Sequence, residues 1–184
     1  MDLVPFDELN KFEDGLSIYF ENGRIRSKQD AEDIIDDLLD LLLLSTAHGM
    51  EAVNRDFGSE ILLDSDTALG IVNTRIDGKT WRDRVMDYYE NGGSEFDIRR
   101  IAETETHRDA NAAAYETAMR AGATTKTWQT MMDDRVRDTH EYLQGVSAPM
   151  DGSFYSYKGG STLYPGQWGI AEEDCNCRCW LSYS

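Results

Sequence analysis

Apolar residues recur at helical spacing in the stretch that follows Ser27. They are separated by aspartates and glutamates, and they are Ile34, Ile35, Leu38, Leu39, Leu41, Leu42 and Leu43. A serine at the start and acidic first turns favour a helix that begins here, and Gly49 is a candidate C-cap. The pattern predicts an amphipathic helix. Its apolar face packs on a neighbouring helix of the same domain or, alternatively, on another subunit.

Two further helices are predicted in the middle of the chain. In the segment Trp81–Tyr89, large apolar residues fall on one face, which is typical of a short helix. Ser94 with Asp97 three positions later resembles a capping box. The alanine-rich stretch that follows predicts a long helix over about Glu95–Arg120, which Gly122 closes.

The last third of the chain has a mixed pattern. Thr124–Thr130 is rich in β-branched and aromatic residues, which favours a strand. The later predicted elements are a short helix through Arg135–Leu143 capped by Asp133 or Asp134, a hairpin of Phe154–Lys158 with Ser161–Tyr164, and a final strand Cys179–Tyr183. The predicted fold class is therefore α+β: a helical N-terminal region followed by a long helix packed on a small, mostly antiparallel sheet.

Charge changes this picture for the N-terminal half. The chain has 18 Lys and Arg against 35 Asp and Glu, a formal net charge of −17, which disfavours sequence-independent nucleic-acid binding. Residues 1–93 hold 9 basic and 21 acidic residues, net −12, whereas residues 94–184 hold 9 and 14, net −5. We therefore divide the chain into an acidic helical region, 1–93, and a domain over 94–184. A cationic protein surface is the natural partner of the acidic region, although such a charge also suits a merely soluble surface.

The sequence predicts no membrane partner. No window reaches the roughly 18 consecutive apolar residues that span a bilayer. Met1–Glu8 lacks the basic start and apolar stretch of a secretory signal, so we expect cytoplasmic synthesis.

Three cysteines lie within five residues of one another near the C-terminus. This spacing fits neither a spread-out disulfide framework nor a CxxC knuckle. The candidate zinc ligands are His140, Cys175, Cys177 and Cys179. Another cysteine, Asp138, Asp174 or water could complete the set. The alternative is that the cysteines are ordinary buried residues of a protein with no cofactor.

A second polar set lies on the long helix. Glu103, Glu105 and His107 could serve acid–base chemistry or hold a divalent metal, as in a metal-dependent hydrolase. The usual role of such a set is a solvated or salt-bridged helix face. The chain contains no GxSxG, no phosphate-binding glycine loop and no zinc-deaminase signature.

Several separated segments together resemble the phage Mu protein F-like head morphogenesis family. They are Ile101–Asn111, Trp128, Asp134–His140, Glu172–Glu173 and Asn176–Cys179, with a looser match at Gly78–Trp81 and Arg84. The resemblance covers about residues 75–184. Its specificity comes from the order and spacing of motifs that would each be weak alone.

The resemblance implies a minor head protein of a tailed bacteriophage, made in the host cytoplasm and placed inside the capsid near the portal. It implies the portal protein as a partner, with scaffold protein, major capsid protein and packaged DNA as further candidates. The net charge of −12 and the apolar Leu38–Leu44 segment predict that residues 1–93 contribute most of the docking to the portal. The implied function is head assembly and DNA packaging or ejection, without catalysis. Because domains of this family also occur fused to toxin activities, a toxin-type enzyme module that uses the Glu103 helix is the alternative.

The resemblance also identifies a structural motif. Its residues are Glu103, Glu105, Asn111, Trp128, Asp134, Arg135, Arg137, His140 and Arg178. Many relatives carry a CxxC where this chain has Arg137 and His140, and a histidine where it has Asp174, so we expect partial zinc binding or none. A buried arginine needs a carboxylate, and we expect Arg178 to pair with Glu105, which could also pair with Arg135 or Arg137.

Overall fold

Helices dominate the first two thirds of the computed structural model, which describes residues 4–184. The helices are α1 (Phe6–Gly15), α2 (Lys28–Phe57), α3 (Ser65–Val72), α4 (Trp81–Asn91), α5 (Glu95–Arg120), α6 (Asp138–Glu141) and α7 (Ala171–Asp174). The strands are β1 (Phe20–Glu21), β2 (Arg24–Ile25), β3 (Thr125–Gln129), β4 (Ser147–Pro149), β5 (Phe154–Tyr155), β6 (Ser161–Thr162) and β7 (Trp180–Tyr183). The predicted α+β class is confirmed. Met1–Leu3, which belong to the 1–93 region and to the segment assessed for a signal, lie outside the described residues.

The long helix α5 lies at the centre of the fold. It has the predicted bounds, and α2 packs along it as its main helical neighbour. The side chains of α5 are buried on several sides, because α1, α3, α4 and β7 also contact it. Its alanines make this possible, since small side chains let neighbouring backbones approach closely. Apolar residues of α2 and α5 belong to the same core, and the division of the chain at residue 93 stays a prediction.

The predicted end of α2 at Gly49 is wrong. The helix continues to Phe57 and ends at Gly58, whose φ of 61° is the left-handed conformation of a glycine C-cap. Gly49 instead lies buried in mid-helix, where α2 meets α5. A Cβ atom at this position would lie 2.1 Å from the carbonyl oxygen of Ala110. The glycine is therefore required by the close approach of two helices.

The sheet packs near the C-terminal part of α5. Strand β3 is central, with β4 and β7 antiparallel on its two sides, and Trp128 lies opposite Leu181. The predicted hairpin is confirmed as β5 paired with β6. The predicted short helix is shorter than expected: α6 begins only at Asp138, and residues 133–136 form a separate turn in which the Asp133 carboxylate accepts a hydrogen bond from the backbone of Arg135.

Two helices of the N-terminal half were not predicted. In α1, Leu9 is buried and Glu13 pairs with Arg99 of α5 at 3.2 Å, so one face of this helix is fixed against the core. Helix α3 is capped by Asp64, which accepts a hydrogen bond from the backbone of Thr67.

Within residues 4–184, no helix is both long enough and apolar enough to cross a membrane.

The contact between α2 and α5 can be tested at Gly49. Gly49→Ala should lower the free energy of unfolding by about 2–3 kcal/mol, because the new methyl group overlaps the Ala110 carbonyl and the helices must separate. The matched control is Gly70→Ala in α3, where a Cβ meets open space, and it should be neutral or stabilising by up to about 1 kcal/mol. Urea unfolding measures both. Equal stability of the two variants would contradict the close packing.

Candidate functional site

His140, Cys177 and Cys179 form a buried cluster between α6 and the segment before β7. The Nδ1 atom of His140 lies 3.5 Å from Cys177 Sγ and 3.6 Å from Cys179 Sγ. Two zinc ligands at about 2.0 and 2.3 Å in a tetrahedral arrangement lie about 3.5 Å apart, so these distances suit one shared ion. The three side chains are 5% exposed or less. One imidazole nitrogen and two cysteine sulfurs are ligand types that zinc prefers.

The Glu173 carboxylate lies beside the Nε2 atom of His140. Glu173 Oε2 lies 3.2 Å from His140 Nε2, and the carboxylate also accepts hydrogen bonds from Thr139 and Ser156. Glu173 therefore lies on the Nε2 side of the ring, away from the sulfurs, where the outer carboxylates of metal-binding histidines lie, although its geometry does not form a hydrogen bond to Nε2. The ring also stacks on Trp168 at 5.8 Å and lies edge-on to Trp128 at 5.5 Å.

Two of the other predicted ligands lie elsewhere. Cys175 is half-buried and lines a separate cleft with Arg84 and Tyr88. The Asp174 carboxylate accepts hydrogen bonds from the backbone of Trp168 and Gly169, and burial raises its pKa. Among the His, Cys, Asp and Glu residues that the structure describes, only three converge on this centre.

The surroundings of the cluster leave room for a small fourth ligand. A cavity of about 10 Å³ touches the cluster beside Arg137 and Asn176, close to the volume that a single water needs. A hydrogen bond between the two thiols lowers the pKa of Cys179 and raises that of Cys177 well above its usual range. The residues therefore fit a zinc ion through three protein ligands, with the fourth position suited to water.

A second buried centre surrounds Glu105. Its carboxylate is fully buried and forms ion pairs with Arg84 of α4 and with Arg108 one turn along α5. Arg108, 2% exposed, also lies 3.3 Å from the carboxylate of Asp109 and donates to the carbonyl of Thr74. Burial raises the pKa of Asp109 well above its usual range. This network joins α4, α5 and the loop before α4.

The predicted pair of Arg178 with Glu105 is wrong, and so are the alternatives Arg135 and Arg137. Arg178 is 22% exposed and pairs with Asp133 at 2.6 Å. It alternates with the buried Cys177 and Cys179 as expected, but the side from which it projects is solvent-facing. The Glu105 carboxylate is paired with Arg84 and Arg108. Arg178 pairs with Asp133 instead, at the partly exposed side of its segment.

The other motif residues fix the C-terminal segment in place. Asn111 donates hydrogen bonds from its side chain to the carbonyls of His107 and Cys179, which ties α5 to the residue before β7. Trp128 is fully buried and lies against His140 of the cysteine–histidine cluster. Arg137 donates to the carbonyl of Cys175. Asp134 and Arg135 are exposed, and the guanidinium of Arg135 lies 3.8 Å from Asp133.

The candidate hydrolytic set does not converge. Glu103 and His107 line a cleft of about 520 Å³ between α1 and the Arg178 segment, whereas Glu105 lies in the buried network. Burial and the charge of Arg178 lower the pKa of His107 to about 4, so the ring is neutral near pH 7. The predicted partner Glu105 is absent from the lining of the cleft, and the second carboxylate there is Glu13 of α1, whose pKa is raised by burial and by the charge of Glu103.

Sequence reasoning missed the roles of three residues. Glu173 contacts His140, Arg84 neutralises Glu105, and Arg108 completes that network. Glu172, Glu173 and Arg84 belong to the family pattern, but the pattern does not show which residues they contact. Arg84 contacts Glu105 and Glu173 contacts His140 across more than 20 residues, which periodicity within one element does not encode, whereas Arg108 lies three positions from Glu105, a spacing that places both on one helix face.

Comparisons with known proteins agree with the motif order. A family model described as "Phage Mu protein F like protein" matches residues 76–182. Minor head protein GP7 of Bacillus phage SPP1 is 40% identical over 88 residues, 46% of this chain and 29% of that protein. The NAD(+)-arginine ADP-ribosyltransferase EFV of Enterococcus faecalis is 37% identical over 84 residues, 44% of this chain and 17% of that protein. The chain thus spans less than a third of the length of these curated relatives, and no solved structure matches it.

The Glu105 network should dominate the stability of the core. Glu105→Ala leaves Arg84 without its carboxylate and Arg108 with Asp109 alone, and should cost about 3–5 kcal/mol of unfolding free energy. Glu103→Ala, an exposed position on the same helix, is the matched control and should change stability by about 0.5 kcal/mol or less. Arg178→Ala should have a much smaller effect than Glu105→Ala. Thermal melts in which Arg178→Ala is the most damaging variant would contradict this assignment.

Zinc binding should depend on His140, Cys177 and Cys179. We expect the protein to take up one zinc ion that a strong chelator removes readily, because only three protein ligands hold it. Cys177→Ser should abolish uptake, and Glu173→Gln should weaken it about 10–100-fold. Cys175→Ser is the control and should bind as wild type. Competition with a colorimetric chelator measures the affinities, and equal loss in Cys175→Ser and Cys177→Ser would refute this ligand set.

Proposed function

Because this chain belongs to the phage Mu protein F-like family, we propose that it is a minor head protein of a tailed bacteriophage. In this proposal it binds the portal protein and acts in head assembly and in DNA packaging or ejection. It would reside inside the capsid near the portal. Scaffold protein, major capsid protein and packaged DNA are the further candidate partners.

The observation that carries the proposal is the use of the motif residues for internal structure. Glu105, Asn111 and Trp128 are buried and bind other parts of the same chain. A motif used in this way specifies a fold, and this chain is also similar over 88 residues to a minor head protein. The function then belongs to the surface that this fold presents.

The acidic half supports a protein partner. Residues 1–93 have a net charge of −12, which repels phosphate and attracts a basic protein surface. This half is also anchored to the family fold through α2 and α5, so a docking contact made there would hold the whole chain in place. In the same proposal, zinc held by His140, Cys177 and Cys179 would cross-link α6 to the segment before β7.

The enzyme alternative has weaker support. The predicted hydrolytic set does not meet at one open site, because Glu105 is buried in the arginine network while Glu103 and His107 line the cleft with Glu13. The transferase activity in one relative's name belongs to that protein, of which the matched segment is 17%. We therefore propose a non-enzymatic role.

Purified heads of the encoding phage test the proposal. We expect the full-length chain inside heads, protected from added protease, and in association with the portal assembly after the shell is dissociated. Chain found only in the soluble lysate would contradict it. Truncation before residue 76 is unsuitable for this test, because removal of α2 would expose apolar residues of α5.

A nuclease assay tests the alternative directly. With magnesium or manganese present, wild-type protein should cleave DNA no faster than Glu103→Ala and His107→Ala variants do. Metal-dependent cleavage that both substitutions abolish would favour the hydrolase and overturn the non-enzymatic proposal.

A further inference from the structure

A groove lies between α1 and α2 on the outer side of the N-terminal half. Two helical stripes of equal spacing line it: Glu8, Lys11, Phe12 and Gly15 on α1, and Asp37, Asp40, Leu41 and Leu44 on α2. Each stripe follows the pattern i, i+3, i+4, i+7, so each spans two turns, about 10 Å of helix. Ile18 and Tyr19 of the 3₁₀ turn Leu16–Tyr19 close one end.

The floor of the groove is apolar and open. Phe12, Leu41 and Leu44 lie along it, and Ile18 is 61% exposed at its end. A Cβ atom at Gly15 would meet no atom within 4 Å, and its φ of −75° is an ordinary helical value. The cavity has a volume of about 360 Å³, enough for a few apolar side chains of a partner.

The rim of the groove is acidic. Glu8, Asp37 and Asp40 line it against one lysine, Lys11, and Lys11 lies 3.8 Å from Glu8. Asp33 and Asp36 continue the acidic row along α2. The Tyr19 hydroxyl donates to Asp37 at 2.6 Å, and this bond with the neighbouring carboxylates raises the pKa of Tyr19 to about 12. The local field is therefore strongly negative.

We propose that this groove binds a basic amphipathic helix of a partner protein. Two parallel stripes with an apolar floor form the seat for a third helix, whose apolar residues at i, i+3 or i+4 and i+7 would fill it. Lysines or arginines that flank those anchors would face Asp37, Asp40 and Glu8. The identification of that partner as the portal protein rests on the proposed function, whereas the chemistry of the groove does not.

Charge argues against the other occupants. A second copy of the chain carries a net charge of −17, so it would bring acidic surface to an acidic rim. Nucleic acid and anionic lipid would be repelled for the same reason. A basic protein segment gains attraction at the rim and burial at the floor.

Substitutions at Gly15 and Asp40 separate these two contributions. Gly15→Phe fills the groove from a position where a side chain meets open space, and Asp40→Lys reverses an exposed rim charge. Each has a matched control away from the groove. Gly70→Phe adds the same ring on α3 at another open position, and Glu60→Lys makes the same charge change on an exposed loop.

The first probe is a synthetic helix of leucine and lysine in amphipathic register, compared with its leucine–glutamate counterpart. The full-length protein should bind the lysine helix and not the glutamate helix. Gly15→Phe and Asp40→Lys should each weaken binding at least tenfold, and Gly70→Phe and Glu60→Lys should leave it within twofold. No binding of the lysine helix, or equal effects of groove and control substitutions, would overturn the inference.

The purified portal assembly is the second probe. If wild type binds the portal and both groove variants lose that binding, the groove is the docking site. If wild type and groove variants bind the portal equally, the proposed function stands and the groove inference is wrong for this partner. If wild type fails to bind the portal but passes the peptide test, portal docking fails while the groove chemistry stands.

Discussion

A fully buried carboxylate determines how the central helix is surrounded. The Glu105 carboxylate lies in the core between two arginines, Arg84 of α4 and Arg108 on the next turn of α5. An unpaired charge at this depth would cost several kcal/mol, so both arginines must be in place when the core closes. The position of α4, and of the loop that contributes the Thr74 carbonyl, follows from this requirement.

The same helix receives the C-terminal segment on another face. Asn111 holds the carbonyl of Cys179, and Gly166, at a φ of 88°, packs on the side chain of Arg108 so closely that a Cβ would lie 2.8 Å from it. These contacts with α5 fix the position of the C-terminal segment that contains the two cysteines of the cluster. The opposite side is closed by α2 at Gly49, which leaves the outer face of α2 available for a partner.

Local pattern predicted the elements but not the contacts between them. The capping box at Ser94 and the alanines fixed the bounds of α5, and the β-branched run fixed β3, because both signals act within one element. Gly49 was misassigned, since a glycine at a helix end and a glycine at a helix crossing look the same in sequence. The predicted partner of Arg178 was wrong because sequence spacing does not show that Arg84 of α4 and Arg108 of α5 lie against Glu105, while Arg178 lies against Asp133. Three of the predicted metal ligands converge, and Cys175 does not, because the chain turns at Asn176 with φ 56°.

Glu105 and Arg84 stabilise the fold through their ion pair. A double-mutant cycle with Glu105→Leu and Arg84→Met, read by urea unfolding of the full-length protein, measures that interaction directly. The double variant should be more stable than the sum of the two single losses implies, with a coupling free energy of about 2 kcal/mol or more. Losses that simply add, within about 0.5 kcal/mol, would contradict it.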